Sequence, residues 1–206
     1  MAAQPCRTPN RAFGVGVVVA DGVVVTAAHT VEGPLRSLTV DGAPAEILAE
    51  DARTDLALLA ASTPRGAGAG LSTASPAAAT VLAADGDVAV RIASTGPLIV
   101  NDTTAGVRHH REVHQFTPGV QPGTSGAPLV DDRRRVLGIV VLDDRTEDIG
   151  YAVTATELAA VIDAPRGPPR TIGCADERRL RWPQRAARGE DPCDVPTSGP
   201  GQRRWR

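Results

Sequence analysis

The chain contains no lysine; all 22 of its basic residues are arginine. The small-residue run "GAGAG" at residues 66–70 therefore lacks the lysine that completes a phosphate-binding loop, and it does not read as one. Aromatics are nearly as scarce, with two Trp, two Phe and one Tyr among 206 residues. A core must then be built from Val, Ala, Leu and Ile, which suits small twisted sheets. The three cysteines, Cys6, Cys174 and Cys193, are odd in number and form no framework spacing. A Cys174–Cys193 pair is open, but nothing in the sequence requires it. No segment is long and apolar enough to span a bilayer. The run "VGVVVADGVVV" is broken by Asp21-Gly22, a hairpin signal, and reads as two strands rather than as a leader. A soluble, cytoplasmic protein with no membrane partner is the expectation.

Charge is scarce in net terms but unevenly spread. Residues 1–163 hold 12 Arg against 19 Asp and Glu, a net of −7, whereas residues 164–206 hold 10 Arg against 5 acids, a net of +5. An acidic body argues against nucleic acid as a partner. Beyond Pro165 the pattern dissolves into Pro, Gly and Arg, and a solvated, disordered tail is expected over 164–206. Within it, "ADERRLRW" has room for a short helix that Pro183 would end.

What the chain has in quantity is short valine-rich runs punctuated by Gly, Pro, Asp and Asn. "GVGVVVA", "GVVVTAA", "AEILAE" and "DLALLAA" read as strands in the first half. "DVAVRIAS", "PLIVNDTTAGV", "EVHQF", "APLV", "RVLGIVVL" and "IGYAVT" do so in the second. Many short strands at this spacing predict an all-β sandwich or barrel. "STPRGAGAGLSTASPAAAT" between the halves reads as a linker. One helix is predicted in the body, where Thr154 precedes Glu157 at capping-box spacing and an apolar face follows.

Three local contexts carry chemistry. "VVVTAAHTVEG" places His29 just after a strand, "DARTDLALLAA" places Asp55 at the head of one, and "QPGTSGAPLV" places Ser125 among small residues. Each is weak alone, since a histidine after a strand, an aspartate opening one and a glycine-flanked serine are each most often structural. Together, in the order His, Asp, Ser, they fit acyl transfer by a serine. His29 would take the hydroxyl proton, Asp55 would hold the imidazole in one tautomer, and backbone N–H groups of Gly123 and Ser125 would meet the oxyanion. The order excludes the α/β-hydrolase and subtilisin arrangements.

"TAAH", "DARTDLALL" and "PGTSGAPLV…VLGIVV…GYAV" resemble the three catalytic segments of trypsin-like serine proteases, above all the protease domain of the bacterial HtrA/Deg family and related short trypsin-like peptidases. The resemblance covers about residues 12–163. It implies two six-stranded antiparallel β-barrels with the cleft between them. The first would span about 12–75 and the second about 80–154, followed by a helix at 155–163, with residues 1–11 as an extension. It implies a serine endopeptidase acting on a peptide or protein, with no cofactor and no metal. By position, Gly119, Val120 and Gln121 should form one wall of the primary pocket and Ile139, Val140 and Val141 another, which favours a small or medium apolar side chain before the cut. Two departures stand out. Thr124 occupies a position where the family commonly has Asn or Asp, so activation through an N-terminal ion pair is not expected, and Ala127 replaces a second glycine. A latent or non-catalytic peptide-binding module on the same fold is the competing reading.

Two further clusters read as surface features. His109, His110 and His114 in "RHHREVH" lack carboxylate or thiolate partners at ligand spacing, so a metal site is not expected, although His114 could approach the substrate pocket. "DDRRR" at 131–135 reads as a solvated turn.

Overall fold

Strands form where β-branched and leucine-rich runs are separated by residues that tolerate tight turns. In the computed structural model, residues 1–6, 10–63, 66–102, 107–144, 146–170 and 172–174 are described. Cys193, both tryptophans and the short helix expected up to Trp182 lie outside them. Residues 1–173 make one compact unit.

The first half is a seven-stranded antiparallel sheet. Its strands are β1 (Ala2–Pro5), β2 (Ala12–Phe13), β3 (Val17–Ala20), β4 (Val23–Ala27), β5 (Leu35–Val40), β6 (Ala43–Asp51) and β7 (Leu56–Ala61). They run in the order β2-β1-β5-β6-β7-β4-β3. The Asp21-Gly22 signal turns β3 into β4, with Gly22 at φ 68. Asp41 and Gly42, at φ 49 and 81, turn β5 into β6 as a two-residue hairpin needing positive φ at both positions. This sheet is the half-barrel of the expected two-barrel fold, with seven strands where six were expected. Residues 2–5, read as part of an extension, pair with β5 and β2 and widen the sheet.

The second half closes. β8 (Ala78–Ala83), β9 (Gly86–Asp102), β10 (Val107–Thr117), β11 (Pro128–Val130), β12 (Val136–Asp144) and β13 (Ile149–Thr154) form a barrel in the order β10-β13-β12-β11-β8-β9. Six strands were expected and six are present. Two expected strands are one, because Pro97 pairs across from Glu112 without ending β9. Phe116, fully buried, lies across from Gly150, where a Cβ would come within 2.3 Å of its ring. Helix α1 (Ala155–Asp163) follows, its first turn closed by the Thr154 side chain accepting from the Glu157 N–H.

Each half has its own apolar cluster, and a third fills the space between them. That third cluster joins Val25, Leu56 and Leu58 of the first sheet to Val113 and Ile139 of the second and to Leu158 of α1. It is what sets the two halves in fixed register, because apolar area removed from water stabilises both at once.

The expected linker is not slack. Ala69 N–H donates to Val18 O at 2.8 Å, Ser72 N–H donates to Val136 O at 2.9 Å, and Val136 N–H donates to Gly70 O at 2.8 Å. A Cβ on Gly68 would sit 1.9 Å from Val19 O, so backbone approach explains this glycine of the "GAGAG" run. The start of the expected disordered tail is also ordered. Arg170 N–H donates to Ile47 O at 2.9 Å, and its guanidinium donates to Val31 O and Gly33 O. Within "DDRRR", Asp131 is buried and accepts from the N–H groups of Arg133 and Arg135 and from Arg135 Nε, so it organises the turn rather than facing solvent. Cys6 and Cys174 are both disulfide-bonded, which the odd cysteine count did not foretell.

Candidate active site

His29 lies in a single 3-10 turn, Ala28–Thr30, that begins where β4 ends. The turn is held from two sides. Thr30 Oγ1 donates to Ala27 O at 2.6 Å, and Ala28 N–H donates to Asp55 O at 2.8 Å. Asp55 opens β7 from the left-handed region at φ 61, a conformation that aspartate accepts more readily than most residues. Its N–H donates to Asp51 O at 2.8 Å, and Thr54 Oγ1 bonds Asp51 Oδ2 at 2.8 Å. The backbone of this loop thus turns the Asp55 carboxylate toward β4 and leaves it little freedom.

The carboxylate uses both oxygens on the same residue. Asp55 Oδ1 accepts from the His29 backbone N–H at 2.8 Å, and Oδ2 is 2.8 Å from His29 Nδ1. On the far side of the ring, Nε2 is 2.9 Å from Ser125 Oγ. With Nδ1–H donated to the carboxylate, Nε2 is the free lone pair that faces the hydroxyl. His29 is 42% exposed, so a substrate can reach this line of atoms. The three residues brought together are those singled out from sequence, although 96 positions separate His29 and Ser125.

Ser125 lies within the second of two consecutive tight turns. Thr124 N–H donates to Gln121 O at 3.2 Å, with Gly123 at φ 94, a turn in which Pro122 and Gly123 hold the positions those residues favour. Ala127 N–H donates to Thr124 O at 2.9 Å, with Gly126 at φ 86. Both halves pin this loop: Val15 N–H donates to Ser125 O at 2.9 Å and Gly126 N–H donates to Val140 O at 2.8 Å. Among the described residues the N–H groups of Gly123 and Ser125 have no backbone acceptor. Thr124 is buried, and its N–H closes the first turn without any ion pair.

The family model described as a trypsin-like peptidase domain matches residues 14–139. The chain belongs to the trypsin-like peptidase family. It is a serine-type peptidase, and its fold is the double-barrel fold of that family. The active form of the Rv3671c protease from M. tuberculosis superposes with a TM-score of 0.69 at 23% identity, covering 84% of each chain. The HtrA-type protease AlgW, solved with a decapeptide, gives a TM-score of 0.55 at 22% identity, covering 78% of this chain and 55% of that one. At these identities the likeness is one of fold. An uncharacterized Sinorhizobium fredii protein, y4bJ, is 27% identical over 178 residues, 78% of this chain, and the chain spans only 28% of that protein's length.

Other positions of this peptidase depart from expectation. Val120 and Val140 pack in one cluster inside the second barrel, whereas Ile139 and Val141 belong to the cluster between the halves, with Leu158 and Val161 of α1. Ile139 and Val141 are therefore core residues, and a pocket wall made of three consecutive β12 side chains is corrected. Strand alternation is the reason, since neighbouring side chains leave opposite faces. Gln121 is exposed and Gly119 N–H is held by Asp148. His114 is buried in the barrel, 2.7 Å from Thr95 Oγ1 through Nδ1 and 3.2 Å from Leu137 O through Nε2, so it does not serve the substrate pocket. Burial pushes its imidazole below the ordinary histidine range. His110 is exposed, and no group of metal-ligating side chains forms among the described residues.

One neighbour of the site was not legible. Arg111 of β10 is buried, with Nη1 3.7 Å from Asp55 Oδ2. It lines a cleft of about 190 Å³ together with His29, Asp55, Glu32, Glu50 and His109. Its sequence context, "RHHREVH", signals only a charged surface strand.

Proposed function

We propose that this peptidase is a serine endopeptidase working through His29, Asp55 and Ser125 and an acyl-enzyme. The single observation that carries the reading is the unbroken line from Asp55 Oδ2 through His29 to Ser125 Oγ, with contacts of 2.8 and 2.9 Å. In the acylation step Ser125 Oγ attacks the peptide carbonyl as His29 Nε2 takes its proton. The N–H groups of Gly123 and Ser125 receive the oxyanion. The imidazolium, held by Asp55, then gives its proton to the leaving amine, and water activated by the same nitrogen releases the acyl group. The alternative of a latent or non-catalytic module drew on Thr124, and the turn that Thr124 closes supports an ordered loop instead. Disulfide-bonded Cys6 and Cys174 support an oxidising compartment in place of the cytoplasm expected from sequence.

A fluorophosphonate probe read by intact mass tests the proposal. One adduct is expected on the native chain and none on Ser125→Ala or His29→Ala. Peptide hydrolysis by Ser125→Ala should fall by on the order of 10⁶-fold. A native chain that stays unlabelled, or an adduct that survives in Ser125→Ala, would overturn it.

A further inference from the structure

The β10 face that turns toward the first sheet carries His109, Arg111 and Val113 in alternation. Val113 joins the cluster between the halves, while His109 and Arg111 line the cleft beside His29. Arg111 is only 6% exposed. Its Nη1 lies 3.7 Å from Asp55 Oδ2, its Nη2 donates to Ala52 O at 3.5 Å, and its Nε has no hydrogen-bond partner. Burying a cation with one donor unsatisfied is costly, and an apolar residue of similar volume would fill the space at less expense. The oxygen it faces is the same one that accepts from His29 Nδ1.

The other charges near this point are largely committed elsewhere. Arg53 pairs with Glu157 through two contacts of 2.9 and 2.6 Å. Glu50 lies 3.1 Å from Arg170 Nε. Asp51 is bonded by Thr54 and sits 3.9 Å from Arg53. Glu32 and His109 edge the cleft. Among these groups Arg111 is the cation within ion-pair distance of Asp55.

We propose that Arg111 is a positioning residue for the triad, supplied by the second barrel, which fixes the Asp55 carboxylate against the His29 ring. The inference rests on the catalytic reading of the site for its functional meaning, but its physical content does not depend on turnover. A cation beside Oδ2 holds that oxygen in line with Nδ1. The His29 ring is thereby kept with Nδ1 on Asp55 and Nε2 toward Ser125 Oγ. The device also ties base and nucleophile halves together electrostatically, since Arg111 and Ser125 come from the same barrel and His29 and Asp55 from the other.

The test compares the native full chain with Arg111→Met and Arg111→Lys. The His29 Nδ1 proton is followed by NMR at one pH, its signal assigned by loss in His29→Ala. Arg111→Met is expected to shift and broaden that signal, and Arg111→Lys to restore most of the native one. If the chain hydrolyses peptides, kcat falls about tenfold in Arg111→Met with KM little changed. The variant should unfold within about 5 °C of the native chain, because the carboxylate keeps its two bonds to His29. An unmoved His29 Nδ1 proton signal in a folded Arg111→Met chain would overturn the proposal, and would leave the catalytic reading standing. Failure of the fluorophosphonate reaction on the native chain would sink the catalytic reading while the NMR signal still decides the role of Arg111.

Discussion

The two halves of this peptidase close in different ways. The second is a ring of six strands with no free edge, and all six come from one stretch of chain, residues 78–154. The first is an open sheet, and its order depends on what is laid against it: β1 at one side, Ala69 along β3, and Arg170 across the β6 backbone and the loop after His29. The open half carries His29 and Asp55, and the closed half carries Ser125 and Arg111. The lesson is that Ser125 sits on the closed scaffold, while His29 is held by attachments that each can be removed. Beside the apolar cluster that joins them, the Ser125 loop is a backbone joint, gripped by Val15 on one side and Val140 on the other.

Breaking that joint should have the largest effect. At Gly126 the backbone is at φ 86, and an added Cβ would lie 2.1 Å from Val15 O and 2.3 Å from Thr26 Oγ1. Thr26 Oγ1 itself donates to Val15 O at 2.7 Å, so the clash falls on groups already bonded to each other. Gly126→Ala is expected to cost on the order of 3 kcal/mol and to abolish labelling of Ser125. Gly123, at φ 94 but with open space at its Cβ position, should cost only about 1 kcal/mol as Gly123→Ala. Urea unfolding of the two variants decides it. Equal losses would mean that the joint does not bear on the fold as described.

The same contrast governs what sequence could reveal. Strands of the closed half follow from valine-rich runs, and α1 follows from Thr154 and Glu157, because those signals act over a few residues. His29, Asp55 and Ser125 were legible because each carries its own local context. β1 was not legible: Ala2–Pro5 has no alternation and becomes a strand only because β5 offers an edge. Arg111 was hidden for a related reason. It is one arginine in a charged strand, and only the approach of the two halves turns it toward Asp55. Ile139 and Val141 were misplaced because a run of apolar residues in β12 does not say which face meets the cleft and which the helix. Cys6 and Cys174 lie far apart in sequence, and an odd count masks their bonded state.

A smaller effect is expected from loosening only the open half. Arg170 donates to Val31 O and Gly33 O, and its Nε lies 3.1 Å from Glu50 Oε2 in a contact whose N–H does not align as a hydrogen bond. Val31 is fully buried, so its carbonyl has little access to water once the guanidinium is gone. Arg170→Ala should cost about 2 kcal/mol. Native-state hydrogen exchange should speed up in β5 and β6 while β8–β13 stay protected. Uniform acceleration across both halves would show that the open sheet does not unfold as its own unit.

The smallest effect belongs to the closed half and depends on pH. His114 is neutral in the barrel: Nε2–H donates to Leu137 O and Nδ1 accepts from Thr95 Oγ1, which is itself 2.7 Å from Ser75 Oγ. Burial lowers its affinity for a proton, with the Leu137 bond and Glu112 opposing, whereas the unfolded chain takes up a proton near the ordinary value of 6.5. The unfolded state therefore binds more protons between that value and the lower native one. The stability that His114 contributes is present in full above pH 6.5 and is lost as pH falls below it, at no more than about 1.4 kcal/mol per pH unit. Urea unfolding at pH 7.5 and 5.5 should show this slope in the native chain and a shallower one in His114→Gln. A slope that survives the substitution would assign the acid sensitivity to other groups and leave the closed half indifferent to pH.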